Sequence, residues 1–123
     1  MAPSDAASVA QLAQQLGLIT EDQLIPAWDE VGKNADPMRL LIALERKSVL
    51  TPWQSQKLMK GDQHGYFLGG YRILYKIASG SFGRVFRADD PRSGRIVAVK
   101  VLRRRWSEDQ QRIDLFIRKA KSD

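Results

Sequence analysis

The residues best suited to chemistry fall between positions 77 and 100. Ala78-Ser79-Gly80-Ser81-Phe82-Gly83-Arg84-Val85-Phe86 is a glycine-bearing stretch flanked by strand-like sequence. Glycines in a β-hairpin let backbone approach phosphate oxygens and allow dihedral angles closed to other residues. Phe82 at the tip can shield such phosphates from water, and Val85 offers an apolar side chain to a flat ring. Lys100 follows 17 residues after Gly83, inside Val97-Ala98-Val99-Lys100-Val101-Leu102. A lysine in so apolar a strand is expensive to bury without an anion beside it, and a nucleotide phosphate would serve. A dinucleotide-binding reading of the glycines is weaker. That motif joins a strand to a helix, whereas here more strand-like sequence follows.

The elements that must position these residues are short strands. Tyr71–Ile77 is rich in aromatic and β-branched residues, and Asp89-Asp90-Pro91-Arg92-Ser93-Gly94 is a turn. Arg95–Leu102 reads as a third strand. Ser107 with Gln110 forms a capping box, and Ile113, Phe116, Ile117 and Ala120 mark one face of a closing helix.

This order of parts resembles the start of the eukaryotic-type serine/threonine protein kinase fold. Gly80, Phe82, Gly83 and Val85 match its glycine-rich loop, and Val97-Ala98-Val99-Lys100 matches its V-A-I-K strand. The resemblance covers residues 66–123 and places the closing helix where the family has its C helix. It implies ATP as ligand, with Mg²⁺ in a full-length kinase. Ile77, Ala78, Gly80, Ser81, Phe82 and Gly83 would lie over the nucleotide, Val85 and Ala98 would flank adenine, and Lys100 would hold the α- and β-phosphates. Protein Ser or Thr hydroxyls would be the acceptors, and the cytoplasm the location.

The sequence departs from the family in three places. Ala78 stands at the usual first glycine. Aligning Leu115-Phe116-Ile117-Arg118 with the family's C helix puts Lys119 where a glutamate normally pairs with the strand lysine, and two lysines would repel. The 123 residues contain neither an H-R-D-x-x-x-x-N nor a D-F-G segment, the sources of the catalytic base and the metal ligands. The chain is therefore expected to be inactive alone, as the beginning of a longer kinase or a truncated product, with no catalytic or metal-binding residue of its own.

The first half follows a different grammar. Ser4 or Asp5 can cap a helix over residues 6–16 that stops at Gly17. Thr20 with Gln23 is a capping box for a helix running to Gly32, with Pro26 inside it to kink it or delay its start. Asp36-Pro37 starts a third helix, and Thr51-Pro52-Trp53-Gln54 a fourth that ends at Gly61. Leu18-Ile19-Thr20 with Gln23 recurs as Val49-Leu50-Thr51 with Gln54, an offset of 31 residues. Two αα-hairpins in one four-helix unit are expected, with Trp28, Trp53 and the leucines in the core. Leu50-Thr51-Pro52-Trp53-Gln54, then Gly65-Tyr66-Phe67-Leu68-Gly69, is also similar to the leader preceding the kinase domain in large planctomycete-type bacterial kinases.

Charge separates the halves. Residues 1–65 carry 6 basic and 8 acidic side chains, residues 66–123 carry 14 and 6, and the whole chain is +6. The expected class is α+β: a helical leader over 1–65, jointed at Gly61–Gly65 to a partial N-lobe over 66–123 with antiparallel strands and a C helix. The lone His64 lies in that joint and reads as a bystander. Absence of cysteine excludes disulfides and thiol chemistry. No apolar run reaches the ~20 residues of a membrane span, and the N-terminus lacks the pattern of a signal peptide. Two rival readings remain. The leader could be a non-catalytic module docking a protein through Trp28 or Trp53, beside a remnant hairpin. Arg103-Arg104-Arg105-Trp106 could touch nucleic acid, although no nucleic-acid fold signature accompanies it, and a solvated junction is the preferred reading.

Overall fold

The computed structural model describes residues 5–32, 34–103 and 113–119, with side chains through residue 102. The chain is α+β and divides into two compact units, Met1–Tyr66 and Phe67–Asp123.

Four helices build the first unit: α1 (Ala6–Gln15), α2 (Glu21–Val31), α3 (Pro37–Arg46) and α4 (Pro52–Met59). Each starts on a side chain that accepts one of the unpaired N–H groups of the first turn. Asp5 accepts from the Ser8 N–H at 2.7 Å and Asp36 from Arg39 at 3.0 Å. Thr20–Gln23 and Thr51–Gln54 form complete, reciprocal capping boxes. Pro26 does not delay α2, which begins at Glu21 and carries Pro26 in its interior.

The 31-residue repeat extends into backbone geometry. Leu18 N–H donates to the Ala13 carbonyl, and Val49 N–H to that of Leu44. Gly17 N–H reaches Gln14 and Ser48 N–H reaches Glu45 in the same register. These bonds need a left-handed residue after the helix, supplied by Gly17 at φ +77° and by Ser48 at φ +61°. Both hairpins turn the following apolar pair inward, so Ile19 and Leu50 are buried at matching positions. The core joins Val9, Ala13, Leu24 and Ala27 to Leu40, Leu41, Leu44 and Leu58, with Trp28 packed against it.

The stretch after α4 folds onto this unit. Asp62 N–H donates to the Lys57 carbonyl at 3.1 Å. Lys57 Nζ lies 5.4 Å from the Trp53 ring centre and 5.1 Å from that of Tyr66, and pairs with Asp62 at 3.2 Å. Tyr66 is buried and donates its hydroxyl to the Asp62 carbonyl at 2.7 Å. Burial first, and the Asp62 charge second, push its phenol well above the usual range, which keeps that donor protonated.

The second unit is an antiparallel meander in chain order: β1 (Phe67–Leu68), β2 (Tyr71–Gly80), β3 (Gly83–Asp89), β4 (Ile96–Arg103) and β5 (Ile113–Lys119). Phe86 lies opposite Val99 and Ala88 opposite Val97, and with Ile73 these form one buried face of the sheet.

The expected closing helix is not present over its described part. Ile113–Lys119 is a strand paired along β4, from Arg103↔Ile113 to Val97↔Lys119. The same stretch also alternates, with Ile113, Leu115 and Ile117 at period two, and Ile and Phe favour strands. Pairing along the free edge of β4 satisfies backbone groups that would otherwise remain unpaired. The C-helix position assigned to Lys119 falls with that helix. Ser107, Gln110 and Ala120 lie outside the described residues.

Ser48→Gly removes the cost of a left-handed conformation at a residue with a Cβ, about 1 kcal/mol. The thermal transition of the helical unit, followed by circular dichroism at 222 nm, is expected to rise by about 4 °C.

Candidate functional site

The candidate site is built on the tight hairpin between β2 and β3. Gly80 pairs with Gly83, leaving Ser81 and Phe82 as a two-residue connection. Gly83 has φ +133°, and a Cβ placed on it would lie 1.9 Å from the Val101 carbonyl oxygen. Its lack of a side chain therefore accommodates the neighbouring backbone of β4.

Gly80 serves a different neighbour. A Cβ there would meet Phe82 Cε1 at 2.9 Å, so the Phe82 ring folds back against the bare Gly80 backbone. The same ring lies 5.4 Å from Lys100 Nζ. The tip of the hairpin and the strand lysine are thereby brought together, which the sequence could place only on the same short stretch.

Register explains who shares this face. Ala78 lies opposite Val85, and Val85 opposite Lys100, so the three form a row across three strands. Arg87↔Ala98 forms the next paired position on the same side of β3 and β4. Strand alternation turns Val97, Val99 and Val101 to the buried face, while Lys100 is exposed. The expectation that Lys100 needs an anion because it is buried is therefore corrected: the apolar run is split between two faces. Arg84 belongs to the other side, 5.8 Å from the Phe86 ring.

Ile77 does not join the row. Pairing slips between Lys76 and Ala78, leaving Ile77 unpaired in the register and 55% exposed. Ser81 is exposed at the tip. A second slip between Ile73 and Tyr75 brings Arg72 opposite Asp89. Their side chains form a two-point ion pair, Nε to Oδ1 at 3.1 Å and the Arg72 Nη2 to Oδ2 at 2.6 Å, at the base of the hairpin. Counting back from Gly80 and Gly83 without the two bulges misses this pair.

The turn before β4 is closed by Asp90, whose carboxylate accepts from the Arg92 N–H at 2.9 Å. That bond, aided by the Arg92 and Ser93 side chains and the Arg92 charge, holds the carboxyl below its ordinary range. His64 is exposed in the first unit. Among the described residues, no group of three His, Asp or Glu side chains is arranged to hold a metal, and no helix is long and apolar enough to cross a membrane.

A glycine-bearing hairpin whose aromatic tip meets a strand lysine is an arrangement able to receive a phosphorylated ligand. Comparison with known proteins gives a partial match. Over 54 residues the chain is 44% identical to the serine/threonine-protein kinase PknA of Mycobacterium tuberculosis, and equally to PknA of Mycobacterium bovis. The match takes in 44% of this chain but 12% of those proteins, so the chain spans about an eighth of the curated relatives it matches. This links the chain to serine/threonine protein kinases through that stretch. No family model and no solved structure matches.

The two site glycines make opposite predictions. Gly83→Ala forces a Cβ into the Val101 carbonyl and a strained φ, and should destabilise the second unit by about 3 kcal/mol or more. Gly80→Ala meets only a rotatable ring and should cost under about 1 kcal/mol while moving Phe82 off Lys100. Hydrogen exchange of β3 and β4 amides reads the first effect. The ring-current shift of the Lys100 ε-methylene protons in NMR spectra reads the second.

Proposed function

We propose that residues 67–123 form the nucleotide-cradling beginning of a serine/threonine protein kinase, preceded by a helical leader of the planctomycete-kinase type. The observation that carries this reading is the meeting of Phe82 with Lys100 beneath the Gly80–Gly83 hairpin, joined to the partial identity with PknA.

The residues present fit ATP. Lys100 offers an exposed ammonium to the α- and β-phosphates, and the backbone of Gly80, Ser81 and Gly83 bounds them on the hairpin side. Ala78, Val85 and Ala98 lie on the same face as Lys100, and their small or apolar side chains suit a flat adenine ring. Phe82 moves from Lys100 to cover the phosphates when they arrive. Ile77, exposed at the bulge, lies at the margin of this face. ATP supplies the transferable phosphoryl group and Mg²⁺ neutralises its charge; protein Ser or Thr hydroxyls are the acceptors, and the cytoplasm supplies the nucleotide. The base and metal ligands of that transfer belong to kinase segments other than those present in these 123 residues.

Isothermal titration of the full chain with MgATP tests the reading. Lys100→Met is expected to weaken binding by about 2 kcal/mol or more, roughly thirtyfold. Arg84→Met, on the opposite face, should leave affinity within about twofold. Equal losses in both variants would reduce the binding to general attraction by a basic surface.

A further inference from the structure

The backbone at position 80 does not call for glycine. Gly80 lies in β2, paired with Gly83, and its φ falls outside the left-handed region that Gly83 occupies. No other strand presses on it either. The three atoms nearest to a Cβ placed there, at 2.9, 3.2 and 3.9 Å, all belong to the Phe82 ring. The missing side chain therefore makes a seat for that ring. From this seat the ring centre lies 5.4 Å from Lys100 Nζ. Burial does not account for the arrangement, because Phe82 stays 43% exposed and Lys100 is exposed as well. Among the described residues Lys100 makes no ion pair, and its ammonium meets the ring face instead.

We propose that Phe82 is an internal ligand of Lys100. In the ligand-free chain the ring caps the ammonium, and Gly80 is the positioning residue that holds the cap in place. An incoming phosphate must displace the ring, because both are drawn to the same charge. The attraction between an exposed ring and an ammonium is modest, so the cap lowers anion affinity only about threefold and opens readily. The consequence for nucleotide rests on the reading of this face as an ATP site; the cap itself does not. The proposal also reverses the sign expected at position 80. A glycine that lets backbone approach phosphate loses affinity on gaining a Cβ. A glycine that seats a competing ring gains affinity, because the Cβ unseats the competitor.

Two measurements on the full chain separate these roles. Acetylation of Lys100 by sulfosuccinimidyl acetate, followed by peptide mass spectrometry, reads how open the amine is without any nucleotide. Gly80→Ala and Phe82→Leu, the latter apolar but without a ring face, are each expected to speed it about threefold. Arg84→Met, on the opposite face, should leave the rate unchanged. The double variant should be no faster than Phe82→Leu alone, since Gly80 acts through the ring. In isothermal titration with MgATP, Gly80→Ala should bind about threefold tighter than wild type. An unchanged acetylation rate in Gly80→Ala, or a further rise in the double variant, would overturn the proposal. So would MgATP binding by Gly80→Ala that is weaker than or equal to wild type, which would return the glycine to phosphate approach. Absence of MgATP binding by wild type and variants alike, with acetylation still accelerated, would retract the nucleotide reading and leave the cap standing.

Discussion

The second unit depends on one close approach, the passage of the β4 backbone over Gly83. With only 1.9 Å between a notional Cβ and the Val101 oxygen, no other residue type can occupy that position without displacing a strand. This contact fixes β3 against β4 in an unbroken register from Gly83↔Leu102 to Asp89↔Ile96. Because the register has no slip, Val85 and Lys100 are directly opposite, and the hairpin tip lies over the lysine. On its other side β3 tolerates two bulges in β2, and the Arg72–Asp89 pair closes the sheet beyond them. The candidate face thus joins an unbroken ladder to a bulged one.

The helical unit is governed by a repeated turn. After α1 and after α3 a left-handed residue closes the helix, and the next apolar pair enters the core. Gly61, at φ +77°, ends α4 with the same bond from two residues beyond the cap, here Asp62 to Lys57. The third use of this turn leads to Tyr66, whose ring meets Lys57 of α4 and whose hydroxyl donates to the Asp62 carbonyl within the exit segment. The unit is consequently a doubled hairpin with its exit segment secured.

Much of this was legible in the sequence because local chemistry decided it. Capping residues at Asp5, Thr20, Asp36 and Thr51 give the start of each helix among the described residues, since each offers an oxygen to first-turn N–H groups. The hairpin and the lysine strand were legible from glycine spacing and β-branched runs. What escaped depends on pairing at a distance. The bulges in β2 carry no distinctive residue, so the Arg72–Asp89 pair was hidden. The exposure of Lys100 follows from alternation within a run whose members are almost all apolar. The fate of residues 113–119 turned on a competition between a helical and an alternating pattern, settled by the open edge of β4. The function of Gly83 could be seen only once a second strand lay against it.

The central claim is that the face carrying Ala78, Val85, Ala98 and Lys100 receives the nucleotide under the Gly80–Gly83 hairpin. The most direct measurement is a residue-resolved NMR titration of the full chain with MgATP. The account predicts the largest amide shifts at Gly80–Val85, Ala98 and Lys100, with the Lys100 ε-methylene losing the ring-current displacement imposed by Phe82. Shifts confined to Arg84 and the Arg92–Arg95 turn, with Phe82 still on Lys100, would contradict it.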